Sequence, residues 1–117
     1  MTKSTEEVVN HHLQSFGAGD LKEILSDYTD ASVLMTAGGV FRGPSQLPSF
    51  FEPMFAEFAK PGASFAMGEM VIDGETALIT WSAETADNVY ELGTDTFVVR
   101  DGKIITQTMA TKTTAKG

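Results

Sequence analysis

Few of the 117 side chains could do chemistry, and two of them are adjacent histidines. With Val8 as origin and roughly 100° per residue, Val9, Leu13 and Phe16 of a first helix point near about 100°, 140° and 80°. His12 falls at about 40°, inside that apolar arc, and His11 at about 300°, outside it. One imidazole is therefore expected to face the core and its neighbour to face solvent. A core histidine has two readings. It is a structural group satisfied by a backbone or carboxylate partner, or a general acid or base on a cavity wall.

Asp95 is the second candidate. A period of two places it on one strand face with Gly93, Phe97 and Val99. A carboxylate among apolar neighbours is costly unless paired or protonated, which fits either a structural ion pair or a working acid. Glu91 shares that face about four residues away, roughly 13 Å along a strand. It is either a substitute base or a solvated rim residue. Asp30, just before the first strand, reads as a cap or turn.

Other chemistries have no residues to run on. There is no cysteine, so disulfides, thiolate catalysis and cysteine metal sites are excluded. Adjacent histidines diverge on a helix, and no further histidine completes a two-histidine-one-carboxylate site, so no metal is called for. No phosphate-cradling glycine motif and no serine nucleophile elbow occurs, and no cofactor is implied.

These groups need elements to hold them. Ser4 and Glu7 form a capping box for the first helix, which Gly17-Ala18-Gly19 ends, and Asp20 caps a second helix carrying Leu21, Ile24, Leu25 and Tyr28. Ser32 to Thr36 is a short β-branched strand that runs into the Gly38-Gly39 turn. A third helix opens at Arg42-Gly43-Pro44-Ser45 and carries Leu47, Phe50, Phe51, Met54, Phe55 and Phe58 at helical spacing. Pro48 and Pro53 predict an early break or kink in it. From Ser64 the period changes to two, with strands over Phe65–Ile72, Thr76–Ala86, Val89–Arg100 and Lys103–Lys112 joined by short turns. Thr111 to Gly117 reads as a tail. The layout is α+β, three helical segments folding into the concave side of a curved antiparallel meander.

That order of elements resembles the SnoaL-like and ketosteroid isomerase-like members of the nuclear transport factor two-like superfamily. The resemblance rests on Ala18-Gly19-Asp20-Leu21, Tyr28-Thr29-Asp30-Ala31-Ser32-Val33, Phe41-Arg42-Gly43-Pro44 and Gly93 to Ile104, and it covers about Thr5 to Thr111. It implies a cone-shaped curved antiparallel sheet wrapped around the N-terminal helices, the cystatin-like or ketosteroid isomerase-like α+β barrel, with an apolar pocket at one end. By the same resemblance the Asp95 face is the inner one. Asp95 and His12 then align with the two groups that hold a developing oxyanion in ketosteroid isomerase, where an apolar site keeps a carboxylic acid neutral. The isomerase's catalytic base falls at Thr36, which cannot abstract a proton at neutral pH, so steroid isomerisation is not expected. Tyr28, Thr36, Phe51, Phe55, Thr80, Ser82, Glu91, Gln107 and Met109 are the expected lining residues.

The resemblance thus implies a small-molecule pocket protein, an isomerase, cyclase or hydro-lyase using a His12–Asp95 pair on an apolar, carbonyl-bearing ligand. A non-catalytic binding or accessory dimerisation domain of the same fold is the alternative. Trp81 has the opposite parity to Thr80 and Ser82, so Trp81, Tyr90, Leu92 and Val98 are expected on the convex face, where a homodimer would cover them. Charge narrows the partners further. Eight Lys and Arg against sixteen Asp and Glu give a net charge of −8, which repels nucleic acid and anionic membrane. No apolar run long enough to span a membrane and no apolar leader core is present, so a cytoplasmic protein is expected, one domain over residues 1–117.

Overall fold

The structure, a computed structural model, describes residues 2–117. Helix α1 (Thr5–Ala18) begins as its residues dictate. The Ser4 hydroxyl accepts from the Glu7 N–H, and the Glu7 carboxylate accepts from the Ser4 N–H. Gly19, in the left-handed region, ends it. Asp20 caps the short α2 (Leu21–Leu25).

Strand β1 (Tyr28–Thr36) starts earlier than the β-branched run suggests and turns back into a short β2 (Gly39–Arg42). Helix α3 (Gly43–Phe58) runs on through Pro48 and Pro53 without the expected break. Leu47 and Phe51 are buried, and Phe50, Phe55 and Phe58 pack against the core, so the apolar stripe outweighs the lost hydrogen bonds. Gly43 is required at the entry: its φ is +65°, and a Cβ there would lie 2.8 Å from the Asp30 carbonyl oxygen.

Strands β3 (Ser64–Asp73), β4 (Thr76–Glu84), β5 (Asn88–Arg100) and β6 (Lys103–Ala115) form the antiparallel meander. Strand β6 absorbs most of the expected tail, since Thr113, Thr114 and Ala115 pair with Tyr90, Val89 and Asn88. The sheet is not antiparallel throughout. Strand β1 adds to β6 in parallel, giving a curved, unclosed six-stranded sheet in the order β2-β1-β6-β5-β4-β3.

Two features reset the inner face. Asp95 pairs with Ile79, so Ala77, Ile79 and Trp81 point inward and Thr80 and Ser82 outward, one residue out of step with the expectation. An irregularity between Tyr90 and Leu92 leaves Glu91 and Leu92 both exposed while Tyr90 turns in. Trp81 and Tyr90 are therefore buried on the concave side, their rings 5.7 Å apart, and not on the convex face. Leu92 does lie outside, 49% exposed. Among the described residues no helix is long and apolar enough to cross a membrane.

Candidate functional site

Gly93 is where the site begins. A Cβ on it would sit 2.1 Å from the Trp81 ring, so only glycine lets that indole lie across β5. Phe65 stacks on the indole at 5.5 Å. Held there, Trp81 donates from Nε1 to Asp95 Oδ1 at 2.7 Å, and Gln107 donates from its amide to Oδ2 at 2.8 Å. Gln107 in turn accepts from the Tyr28 hydroxyl, which lies 3.4 Å from His12 Nδ1. A continuous line of polar groups thus runs Trp81–Asp95–Gln107–Tyr28–His12.

Trp81, Asp95, Gln107 and His12 of this line form one wall of a cavity of about 250 Å³, whereas Tyr28, expected in the lining, is not part of it. The remaining wall is apolar, with Leu13 and Phe16 from α1, Phe50, Phe51 and Met54 from α3, and Met109 from β6. Phe58 and the exposed Gly17 and Ala63-Ser64-Phe65 segment complete the lining. His12 is only 5% exposed and sits edge-on to Phe51, Phe97 and Tyr28.

Burial governs the electrostatics. It holds the His12 pKa down at about 3, with a smaller push from His11, so the ring is neutral at pH 7. It raises the Asp95 pKa, against the pull of the Trp81 and Gln107 donors. It also lifts the Tyr28 phenol well above its ordinary value, helped by the Asp95 and Asp27 charges, so Tyr28 stays protonated.

The expected site residues divide. His12, Asp95, Phe51, Gln107 and Met109 line the cavity, but no hydrogen bond joins His12 to Asp95; Tyr28 and Gln107 stand between them. Phe55 lies behind the wall, stacked on Phe51. Thr36 spends its hydroxyl in the β1–β2 turn, accepting from the Gly38 N–H at 3.1 Å. Thr80, Ser82 and Glu91 surround a shallow depression on the other side of the sheet. Glu91 is exposed there, bonded by Thr114 and ion-paired with Lys112 at 3.3 Å, which in that order lower its pKa; it is not placed to act as a base in the cavity.

Three groups were missed. Trp81 could have been found from Gly93, because a glycine opposite an aromatic residue across a strand pair marks a close approach. His11 is not a solvent residue. Its Nδ1 lies 2.7 Å from buried Asp27 and its Nε2 2.8 Å from Glu23, and these bonds, Asp27 first, raise its pKa. The two carboxylates occupy opposite edges of the ring and do not converge, and among the described residues no cluster could hold a metal ion. Glu57 gathers Thr85, Asn88 and Tyr90, tying α3 to the β4–β5 turn.

Residues 9–107 match the SnoaL-like domain family. The chain belongs to the SnoaL-like family. No curated protein matches it. Solved structures with the SnoaL-like fold do. SalBIII, an epoxide hydrolase/cyclase-like enzyme with a role in pyran ring formation in the polyether salinomycin, is 16% identical with a TM-score of 0.78, over 92% of this chain and 90% of that one. TerC, co-crystallised with polyporic acid, is 15% identical with a TM-score of 0.75, over 92% and 91%. An NTF2-like protein of unknown function from Burkholderia xenovorans LB400 is 19% identical with a TM-score of 0.74, over 92% and 82%. At these identities the likeness is one of fold.

Proposed function

We propose that this SnoaL-like chain is a small-molecule pocket protein that takes up an apolar ligand and places the ligand's one polar group against His12. A single observation carries the reading. The cavity is lined by aromatic and aliphatic side chains except along one wall, where a buried, neutral imidazole is backed by an uninterrupted hydrogen-bonded line to a carboxylate. In the catalytic form of the reading the protein is an isomerase, cyclase or hydro-lyase. His12 exchanges a proton with the bound ligand, while Tyr28, Gln107 and Asp95 hold its ring orientation.

The second reading, binding without turnover, is favoured by two observations. A histidine held at about 3 is poorly matched to proton abstraction at neutral pH. Thr36, the position of the isomerase base, is engaged in a turn. Both readings include a homodimer through the outer sheet face, now resting on Val71, Leu78 and Leu92, which are exposed there. Native mass spectrometry against a panel of small apolar alcohols and ketones tests the pocket, and a panel that leaves no adduct refutes it. For any ligand that is turned over, His12→Ala is expected to abolish turnover while binding persists. Turnover retained in that variant refutes the role of His12.

A further inference from the structure

The polar wall has a direction, and one end sets it. The Trp81 indole N–H can only donate, and it donates to Asp95 Oδ1. Its other oxygen, Oδ2, accepts at 2.8 Å from the Gln107 amide nitrogen. With its nitrogen turned to Asp95, Gln107 shows its carbonyl oxygen to Tyr28, and the phenol spends its only proton there. What reaches His12 is the Tyr28 oxygen lone pair, so Nδ1 must carry the ring proton. A neutral imidazole has one N–H, and Nε2 is left bare.

Nε2 has no partner among the described residues. Yet no fully buried side-chain nitrogen or oxygen of the described residues lacks one, so Nε2 opens on the cavity that His12 lines. The other polar atoms of the wall are engaged: both Asp95 oxygens accept, and Gln107 bonds at both ends. At His12 a ligand therefore meets a bare acceptor and no donor, the donors left in the lining being the second Gln107 amide N–H and the Ser64 hydroxyl.

Resting on the pocket reading above, we infer that this site selects its ligand by a hydrogen-bond donor, a hydroxyl, phenol or N–H held at His12 Nε2, where a bare carbonyl finds no partner. The apolar lining and the nearby Asp95 carboxylate favour a neutral molecule. A cavity of roughly 150 Å³ admits benzene, so about 250 Å³ suits a molecule of two small rings. This preference runs opposite to that of a site built to hold an oxyanion.

The direction can be reversed at its source. In Asp95→Asn the amide oxygen accepts from Trp81 and the amide nitrogen must donate to Gln107. Gln107 then turns its nitrogen to Tyr28, the phenol donates to Nδ1, and His12 becomes the Nε2–H tautomer. Long-range ¹⁵N–¹H correlation spectra of the full chain report the tautomer directly, and calorimetry with indane, 1-indanol and 1-indanone reports the preference. The expected result is Nδ1–H in the wild type, 1-indanol bound about tenfold or more above 1-indanone, and both reversed in Asp95→Asn. An Nε2–H tautomer in the wild type, or 1-indanone bound as tightly as 1-indanol, overturns the inference. The wild-type measurements decide this even where the variant fails to fold. If the tautomer is Nδ1–H but none of the three compounds binds, the pocket reading itself falls, and the inference with it.

Discussion

Gly93→Ala is the sharpest perturbation of this architecture. The new Cβ would lie 2.1, 2.3 and 2.4 Å from three Trp81 ring atoms, far inside contact distance. The indole cannot swing away cheaply. It is stacked on Phe65, lies against Tyr90 and is bonded to Asp95. Overpacking a filled interior costs about 1–3 kcal/mol, and displacing a donor from a buried carboxylate costs about 1.5–3 kcal/mol. Together these predict a loss of about 2.5–6 kcal/mol, a large share of the roughly 5–15 kcal/mol that stabilises a domain. Urea unfolding followed by circular dichroism measures it. The control is the same change made in Trp81→Ala, where the clash is gone and the added cost should fall below about 1 kcal/mol, a coupling typical of residues in contact. A loss under about 1 kcal/mol in the wild type, or an equal loss in both backgrounds, would refute the packing argument.

The remaining predictions concern charge and assembly. His12 should not titrate between pH 8 and 5; because its folded pKa, about 3, lies below the ordinary 6.5, the stability it confers is present above 6.5 and lost as pH falls towards 3, a slope that His12→Phe should flatten. His11 should titrate above 6.5; its folded value is raised, so its contribution is complete below 6.5 and lost as pH rises through the raised value, and a His11→Gln variant with the same alkaline limb would refute the Asp27 and Glu23 clamp. In sedimentation equilibrium the wild type should have the mass of two chains and Leu92→Glu that of one, with the fold unchanged; a monomeric wild type removes the dimer.

Much of the frame was legible because it is local. The Ser4 and Glu7 box, the Asp20 cap and the phase of His12 depend on residues a turn apart, and each is found as read. What depends on pairing between distant segments was not. The parallel contact of β1 with β6 joins residues such as Thr36 and Met109, and no pattern within either strand announces it. Parity grouped Asp95 with Gly93, Phe97 and Val99, and the resemblance turned that face inward, but neither could carry it to the next strand, since the Ile79–Asp95 register is a matter of turn geometry. The irregularity at Glu91 then inverted the side of Tyr90. The site followed the same rule. His12, Asp95 and Gln107 were visible one by one, whereas the order of donors and acceptors they share with Trp81 and Tyr28 exists only once five elements, α1, β1, β4, β5 and β6, meet.

An unclosed sheet has two open edges, and each invites another chain to add on. Strand β2 offers only Gly39–Arg42, too little to template a partner. Strand β3 is ten residues long, with Phe65, Met67 and Val71 exposed, which is the composition of a nucleus for filament growth. Its pairing with β4 slips between Met67 and Met70, where Gly68 and Glu69 together oppose Thr80. Gly68 is obligatory there, since a Cβ would lie 2.4 Å from the Thr80 hydroxyl, and Glu69 gives its N–H to that same hydroxyl. An incoming strand would meet Ser64–Met67 and Met70–Asp73 as two short runs with a carboxylate between them, and never one straight ladder. The irregularity that breaks the alternation of side chains denies a fibril its template.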